Sequence, residues 1–311
     1  MNIDPELRPV FERMGVLDLI SDIPAARTEI RRRAAAFPAP PDDRFVSRDR
    51  VVPGPGGHQI PVRVYTPHGD GPFPLMIYMH GGCFITGDLD TAESQCRPIV
   101  LGANAVVISV DYRLAPEHPF PAQLDDCYAT LLWTVDHAAD LNIDPARIAV
   151  GGRSAGGCLA TAVALKARDE DGPNLIYQAL LIPVTDDRLD TLSSHEIIDE
   201  RILNRKTCEA MWKFYLQDSS PETGYAVPMR ARDLRGLPPA LVQLCENDPL
   251  RDEGLMYARR LLAAGVSTEI QLVPGAWHVF ESQAPASHLA IRTTANWVNA
   301  INAALHRDRV D

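Results

Sequence analysis

The feature that most constrains the fold is an alternation of short apolar segments with amphipathic helical segments along most of the chain. The apolar segments are rich in Val, Ile and Leu and lack polar alternation, which is typical of strands covered on both faces of a parallel sheet. They are Leu75–Met79, Ala105–Val110, Arg147–Val150, Ala179–Val184, Ala240–Leu244 and Glu269–Val273. This alternation predicts an α/β protein with a mostly parallel sheet and helices on both faces.

An antiparallel pair is predicted at the N-terminal edge of the sheet. Phe45–Val52 and Gln59–Thr66 have strand character, and a run rich in proline and glycine joins them as in a hairpin. Among the intervening helices, the clearest apolar stripe consists of Leu124, Tyr128, Leu131, Leu132 and Val135. A last helix is predicted through Ala290, Trp297, Val298, Ile301 and Leu305.

Two regions lie outside the alternation and predict a helical cap. Residues 1–44 carry two helical patterns, the second from about Ile23 to Phe37, where a group of prolines ends it. Residues 185–235 separate two predicted strands by a stretch too long for a plain connection. We therefore expect an α/β core of residues 45–184 and 236–311, with the other two regions as a cap over the carboxyl ends of the strands.

The charge of the chain argues against a nucleic-acid partner. Its formal net charge is −11, and the one basic triplet, Arg31–Arg33, falls in a helical pattern where a solvated face is expected. No segment approaches the roughly 20 apolar residues that span a bilayer. The first ten residues hold Asp4, Pro5 and Glu6 and lack the apolar core of a signal peptide.

The cysteines indicate reduced thiols. Six cysteines are scattered along the chain, with no C-x-x-C pair and no histidine at ligand spacing. This pattern favours neither a disulfide framework nor a zinc site, and it is typical of a cytoplasmic protein. We therefore expect a cytoplasmic location and no metal ion.

The strongest local signal is the run from Gly152 to Gly157, which reads GRSAGG and has Ser154 in its third position. It follows a predicted strand and opens a helical pattern, which is the strand–turn–helix setting that a G-x-S-x-G nucleophile elbow requires. Glycines flank the serine where a Cβ would clash, and the helix N-terminus favours developing negative charge. A glycine-rich turn without chemistry remains the alternative for this motif taken alone.

A second glycine-rich loop, His80–Phe84, directly follows the strand Leu75–Met79. Glycines there let backbone N–H groups approach a tetrahedral oxyanion closely. We expect the N–H groups of Gly81, Gly82 and Ala155 to form this oxyanion hole. Because both loops lie at the carboxyl ends of predicted strands, a shared site is favoured over two loops whose glycines serve only turn geometry.

A serine hydroxyl is a weak nucleophile without an adjacent base. Among nine histidines, His278 stands out because it lies in a loop just after the last predicted strand. The acid of such a triad lies between the serine and the histidine in chain order, and Asp248 follows the strand Ala240–Leu244. The rival acids rank lower because carboxylates at helix starts commonly only complement the helix dipole. They are Glu246, Asp252 and Glu253.

In these motifs the chain resembles the bacterial branch of the hormone-sensitive-lipase family, whose members are esterases with the α/β-hydrolase fold. The matching segments are His80–Phe84, Asp111–Glu117, Gly152–Gly157, Asp248–Gly254 and His278. The resemblance implies hydrolysis of short- to medium-chain acyl esters without a metal or organic cofactor, and a helical cap that matches the two regions outside the alternation. It also implies that His80 supports the oxyanion loop without transferring protons, and it is compatible with a homodimer through the last strand, Glu269–Val273.

Three residues depart from the family pattern. Cys83 stands where the family has a third glycine, a change expected to be mild because the oxyanion donors come from the first two. Trp277 is a bulky residue before the histidine and is expected to reshape the pocket. Arg153 replaces the usual Asp or Thr before the serine, and we expect it to seat the cap by pairing with an acidic residue of the insertion. The candidates are Asp186, Asp187, Asp190, Glu196, Asp199 and Glu200.

Several alternatives stay open from the sequence. Arg153 in contact with an anionic acyl group, or simply solvated, competes with the cap pairing. The same triad also suits amide, lactone or activated-carbonate hydrolysis, and a ligand-binding protein on this fold is the alternative from another class, although His278 disfavours it. Cys158 is expected to be a buried thiol. Trp212, Phe214 and Tyr215 belong to the cap core or to the wall of an acyl pocket.

Overall fold

The computed structural model describes residues 1–36, 42–219 and 224–307, and its centre is a single eight-stranded sheet. The strands are β1 (Phe45–Pro53), β2 (Gln59–Pro67), β3 (Phe73–Met79), β4 (Val106–Val110), β5 (Ile143–Arg153), β6 (Tyr177–Leu181), β7 (Ala240–Asn247) and β8 (Thr268–Trp277). Their spatial order is β1-β2-β4-β3-β5-β6-β7-β8. The order reverses at β3, so loops that follow β3 and β5 meet near the middle of the sheet.

Strand pairing confirms the predicted α/β class. β1 pairs antiparallel with β2, β2 pairs antiparallel with β4, and all other neighbours are parallel. Every residue of β3 and β4 is buried, as their unbroken apolar sequences predict. The strand predicted at Ala179–Val184 ends early, at Leu181, because Ile182 has a φ of 43°, which takes the chain out of the extended conformation.

Helices cover both faces of the sheet. They are α1 (Arg8–Arg13), α2 (Ile23–Ala35), α3 (Leu89–Gly102), α4 (Ala122–Asp136), α5 (Ala155–Asp169), α6 (Leu192–Glu196), α7 (Arg205–Leu216), α8 (Arg251–Ala263), α9 (Phe280–Gln283) and α10 (His288–Leu305). Two of them, α3 and α10, pack on one face, while α4, α5 and α8 pack on the other. The sheet is thus the middle of three layers.

The helix patterns agree with the structure apart from one residue. All five apolar residues predicted on the last helix are buried in α10. On α4, Leu124, Tyr128 and Leu131 are buried, but Leu132 is 40% exposed. The prediction for Leu132 was wrong because a position next to Leu131 lies about 100° further around the helix, beyond the edge of the buried stripe.

Both regions outside the alternation contact the loop that follows β3. From α2, Arg27 donates through Nε to the carbonyl of Ile85 at 2.7 Å. From α7, Tyr215 stacks on Phe84 with ring centroids 3.8 Å apart. The predicted end of the second helix at Phe37, and the prolines after it, lie outside the described residues. The N-terminal helices and the insertion therefore both contact the loop at the carboxyl end of β3.

The cysteines lie in the interior. All six are buried and none forms a disulfide. Burial raises the pKa of the Cys83 and Cys96 thiols to about 12. In the described part of the chain, no three His, Cys, Asp or Glu side chains converge as a metal site. Within the same residues, no helix has the length and apolar character needed to cross a bilayer.

Candidate active site

Ser154 occupies a sharp turn between β5 and α5. Its φ of 57° and ψ of −117° are strained for a residue with a side chain. The glycines around it are required by close packing, since a Cβ on Gly156 would lie 2.0 Å from the carbonyl oxygen of Met79. A Cβ on Gly152 would lie 2.3 Å from the carbonyl oxygen of Gly156. The motif thus presents the serine hydroxyl at the N-terminus of α5.

The three residues predicted as a triad lie in one hydrogen-bonded chain. Oγ of Ser154 is 3.0 Å from Nε2 of His278, and Nδ1 of His278 is 2.6 Å from Oδ2 of Asp248. A carboxylate can only accept, so Nδ1 carries the hydrogen and Nε2 is left free to accept from the serine hydroxyl. The other carboxylate oxygen, Oδ1, accepts the N–H of Leu250 at 2.9 Å. Such a chain suits the transfer of a proton from Ser154 to His278.

The rival acids bind elsewhere. Glu246 accepts the N–H of Gly275 at 2.6 Å. Asp252 accepts the N–H of Ser193, and Glu253 accepts the N–H of Thr185, both at 2.7 Å. Each of these bonds fixes a loop near the site, and among the described residues Asp248 is the carboxylate that contacts the imidazole.

The predicted oxyanion loop lies directly against the serine turn. A Cβ on Gly81 would lie 2.8 Å from the carbonyl oxygen of Arg153. The N–H groups of Gly81 and Gly82 donate to no acceptor within the described residues. Ala155 is the first residue of α5, so its N–H has no partner inside the helix. The structure thus brings the three predicted donors to the turn that carries Ser154.

The loop after Gly82 is strained and is held from outside. Cys83 and Phe84 both have left-handed φ values, 57° and 61°. The backbone at position 83 therefore favours glycine. Cysteine at this position is more strained than the sequence suggested. Two bonds from the segment after β4 hold the loop: Ala115 donates to the carbonyl of Phe84 at 2.9 Å, and the Tyr112 hydroxyl donates to the carbonyl of His80 at 2.7 Å.

His80 is neutral and lies against the loop. Its ring stacks on Tyr112 with centroids 4.2 Å apart, and its Nδ1 lies 2.8 Å from the carbonyl oxygen of Gly81. Burial lowers the pKa of His80 to about 4, because the charged imidazolium loses its hydration there. These contacts suit a structural role in the oxyanion loop.

The expected pairing of Arg153 with the insertion was wrong. Its Nη1 donates to Oγ of Ser282 in α9, at 2.9 Å. Within the described residues it forms no ion pair with the six acidic candidates, three of which have arginine partners of their own. These pairs are Asp186 with Arg188, Asp187 with Arg230, and Asp199 with Arg201. The side chain of Arg153 follows the face alternation of β5 and so turns away from the insertion.

Trp277 anchors the histidine loop to the N-terminal segment. It is fully buried, and its ring packs on Phe11 of α1 with centroids 5.2 Å apart. Its indole N–H donates to the side-chain oxygen of Gln283. The residue was expected to reshape the substrate pocket, but its contacts lie in an apolar cluster with α1. Phe11 belongs to the first of the two helical patterns predicted in residues 1–44, but nothing in the sequence linked it to Trp277.

The aromatic residues of α7 contact the oxyanion loop. Trp212 and Tyr215 are buried and pack on Phe84, with ring centroids 6.1 and 3.8 Å away. Phe214 is only partly buried. Cys158, one turn after Ser154, is buried with its Sγ 3.7 Å from the carbonyl oxygen of Ala226. The two buried rings thus pack against Phe84, at the end of the oxyanion loop.

The fold and the site together define the class of this protein. A mostly parallel sheet carries a serine on a strand–turn–helix elbow, an acid after a later strand and a histidine after the last strand. This order of serine, acid and histidine at the carboxyl ends of the strands is the arrangement of the α/β hydrolases.

Comparison with known proteins gives the family. A family model described as alpha/beta hydrolase fold matches residues 76–282. The carboxylesterase NlhH of Mycobacterium tuberculosis is 39% identical over 98% of this chain and 97% of its own length. Among solved structures, one described as bacterial heroin esterase is 39% identical with a TM-score of 0.93, over 98% of each chain. The esterase LipW from Mycobacterium marinum is also 39% identical, with a TM-score of 0.90 over 98% of this chain and 96% of its own.

The chain belongs to the hormone-sensitive-lipase-like family of the α/β-hydrolase superfamily, and it is a hydrolase of the carboxylesterase class. The resemblance inferred from the motifs is thereby confirmed.

Proposed function

We propose that the protein hydrolyses short- to medium-chain acyl esters through an acyl-enzyme on Ser154, with His278 as the base and Asp248 as the acid that orients it. The observation that carries this proposal is the continuous hydrogen-bonded chain from Ser154 through His278 to Asp248. All three residues are at most 5% exposed. In such an enclosed site, hydrogen bonds and charges act with little competition from water.

The geometry supports a two-step acyl transfer. Oγ of Ser154 attacks the ester carbonyl carbon while Nε2 of His278 takes the hydroxyl proton. The C–O bond to the alcohol then breaks, and His278 returns the proton to the departing alkoxide. In the second step His278 takes a proton from water, whose oxygen attacks the acyl carbon, and Ser154 leaves as the protonated hydroxyl. Asp248 stabilises the imidazolium in both steps.

The oxyanion formed in each step is assigned to the backbone N–H groups of Gly81, Gly82 and Ala155. Two observations support this assignment. The glycine loop contacts the elbow, and among the described residues the N–H groups of Gly81 and Gly82 have no other acceptor. Removing one such donor in a related type of site costs on the order of 10²–10³ in turnover. The strained, externally held loop keeps these donors in place before the substrate arrives.

We propose residues 1–44 and 185–235 as the cap that closes over the site. The support is that Arg27 and Tyr215, one from each region, both contact the oxyanion loop. The buried rings of Phe84, Trp212 and Tyr215 pack together at the end of the oxyanion loop, and such an apolar surface suits an acyl chain of modest length. A small-molecule ester is therefore the substrate class that fits, and the relatives named as carboxylesterases support the same class.

The test is a panel of p-nitrophenyl esters with acyl chains of graded length, together with the matching p-nitroanilides and a lactone. We expect turnover of the esters, greatest for short and medium chains, and a burst of nitrophenol before steady state. Ser154→Ala should lose this activity, while Ser109→Ala, a buried serine on β4, serves as the matched control. Preference for the anilides or the lactone would replace the ester proposal, and tight binding without turnover would favour a ligand-binding protein.

Homodimerisation through the last strand and a cytoplasmic location stay predictions. β8 lies at the edge of the sheet, and Ile270 and Leu272 on it are 41% and 46% exposed. An exposed strand edge with apolar side chains suits pairing with a second copy. Sedimentation should therefore show a dimer that Leu272→Glu converts to a monomer, and a monomeric wild-type protein would contradict the prediction.

A further inference from the structure

Arg153 adjoins the nucleophile in sequence, but its side chain binds to the segment that carries the histidine. Its Nη1 donates to Oγ of Ser282 at 2.9 Å, across 129 positions of the chain. Ser282 lies in α9, which begins two residues after His278. One side chain therefore links the elbow of the serine to the helix that follows the base.

The geometry of the sheet places Arg153 beside Tyr78. In β5, Arg153 lies two positions after Gly151, so their side-chain directions point to the same face of the sheet. Gly151 pairs with Tyr78 of the neighbouring strand β3. Tyr78 is only 1% exposed and belongs to the apolar layer between the sheet and the helices α3 and α10. Arg153 therefore extends a charged group along the edge of a buried apolar layer.

A buried carboxylate accompanies this arginine. Glu281 lies one residue before Ser282, and its Oε2 is buried without a hydrogen-bond partner in the described residues. The same holds for Nε of Arg153 and for the hydroxyl of Tyr78. Burial raises the pKa of Glu281, and the positive charge of Arg153 acts against that rise. The guanidinium of Arg153 thus favours the ionised form of the Glu281 carboxyl group, although the two do not form a close ion pair.

We propose that Arg153 is a positioning residue for His278, which couples the serine elbow to the histidine loop by donating to Ser282 and by balancing the buried charge of Glu281. The inference deepens the proposed ester hydrolysis and rests on it, because Arg153 acts through the histidine. It also gives a role to Arg153, which stands where the family usually has Asp or Thr. Removal of the arginine takes away the positive charge that acts on the Glu281 carboxyl group, three positions after His278.

The expected consequence is a loss of turnover with little loss of substrate binding. A displacement of a reacting group by about 1 Å costs roughly 10²-fold in rate. We therefore expect Arg153→Met to lower kcat by roughly 10²-fold on a short-chain ester, and to change KM by less than about threefold. Arg153→Lys keeps a charge at the same place and should retain most of kcat.

The decisive comparison is a double-mutant cycle. Because Arg153→Met leaves Glu281 without its balancing charge, adding Glu281→Gln to it should recover kcat by at least about tenfold, which is non-additive behaviour. Arg168→Met is the matched control, since Arg168 is also a partly buried arginine but lies near the C-terminal end of α5, where it donates to the carbonyls of Asp233 and Arg235. It should leave kcat unchanged. Thermal melting of each variant checks that it is folded under the assay conditions.

Two results would overturn the proposal: wild-type kcat in folded Arg153→Met, or a double variant as slow as the product of the two single losses. Where Arg153→Met does not fold, Ser282→Ala removes only the accepting hydroxyl and should still lower kcat more than it changes KM. A wild-type protein without ester turnover would defeat the proposed function alone. The His278 ring-proton resonances would still test the coupling, since Arg153→Met should shift them and Arg168→Met should not.

Discussion

The two sides of the active site are held by different kinds of contact. On the serine side, backbone meets backbone: Gly156 leaves no room for a Cβ beside Met79, and the N–H of Ser154 donates to the carbonyl of Leu181 at 2.8 Å. On the histidine side, distant side chains hold the loop. Trp277 packs on Phe11, and Arg153 donates to Ser282.

This difference determines how each side responds to change. Backbone contacts at a strained turn admit one local sequence, so a substitution there removes function or folding outright. Side-chain contacts admit partial replacement, because neighbouring groups relax and other contacts remain. We therefore expect all-or-none effects on the serine side and graded effects on the histidine side.

The largest effect is expected for Ser154→Ala. The hydroxyl is the atom that forms the acyl-enzyme, and loss of a triad nucleophile costs on the order of 10⁶ in kcat in a well-studied serine hydrolase. Steady-state turnover of p-nitrophenyl acetate measures the loss, and circular dichroism checks that the fold is kept. A variant that retained a tenth of wild-type activity would remove Ser154 from its assigned role.

A second large effect is expected for Gly156→Ala, in stability. The new methyl group would lie 2.0 Å from the carbonyl oxygen of Met79, which is backbone and has little freedom to move. We expect a loss of more than about 4 kcal/mol in the free energy of unfolding, measured with urea. Gly15→Ala is the control, because no atom lies within 4 Å of a Cβ placed there. Equal stability of the two variants would show that the serine side is more tolerant than its packing indicates.

An intermediate effect is expected for Phe11→Ala on the histidine side. The substitution removes the ring that packs on Trp277 and leaves a cavity, at a cost of about 3 kcal/mol in stability. Phe11→Leu fills much of this space and should lose less than half as much. We expect kcat of the Ala variant to fall gradually, by less than about tenfold, since other contacts still hold the loop. Complete loss of kcat in this variant would show that the histidine side responds to substitution in the same way as the serine side.

The last effect, no larger than that of Phe11→Ala, concerns the pH dependence of stability and His80 on the serine side. His80 has a pKa of about 4 in the folded protein and an ordinary value of about 6.5 when unfolded, so between these values the unfolded chain binds more protons. The wild-type protein should therefore lose stability as pH falls from 6.5 towards 4, by at most about 3 kcal/mol from this residue. In His80→Asn that part of the pH dependence should be missing from urea unfolding curves. Parallel pH dependence in both proteins would show that folding does not lower the pKa of His80.

The same contrast explains how much was predictable from sequence. The elbow, the glycine loop and the individual strands follow from short local patterns, because each depends on residues that are neighbours in the chain. The order of serine, acid and histidine followed from the position of each residue after a predicted strand. Contacts between distant segments leave no local pattern. Arg153 looked like a partner for the acidic insertion, but the direction of its side chain depends on the face alternation and end point of β5.

Left-handed backbone conformations were the other limit of sequence reasoning. Ile182, Cys83 and Phe84 all adopt positive φ, although none is glycine or asparagine. Surrounding contacts impose these conformations, so the residue types themselves did not predict them. Partners such as Glu281 and Ser282 were also missed, and the only available signal was their position three and four residues after His278.

The most direct test of this account is detection of the acyl-enzyme itself. The wild-type protein is mixed with p-nitrophenyl acetate, quenched in acid during the burst, digested and analysed by mass spectrometry. The account predicts one added acetyl group on the peptide that contains Ser154, and none in Ser154→Ala. Turnover without acylation of Ser154, or an acetyl group trapped on another residue, would contradict it.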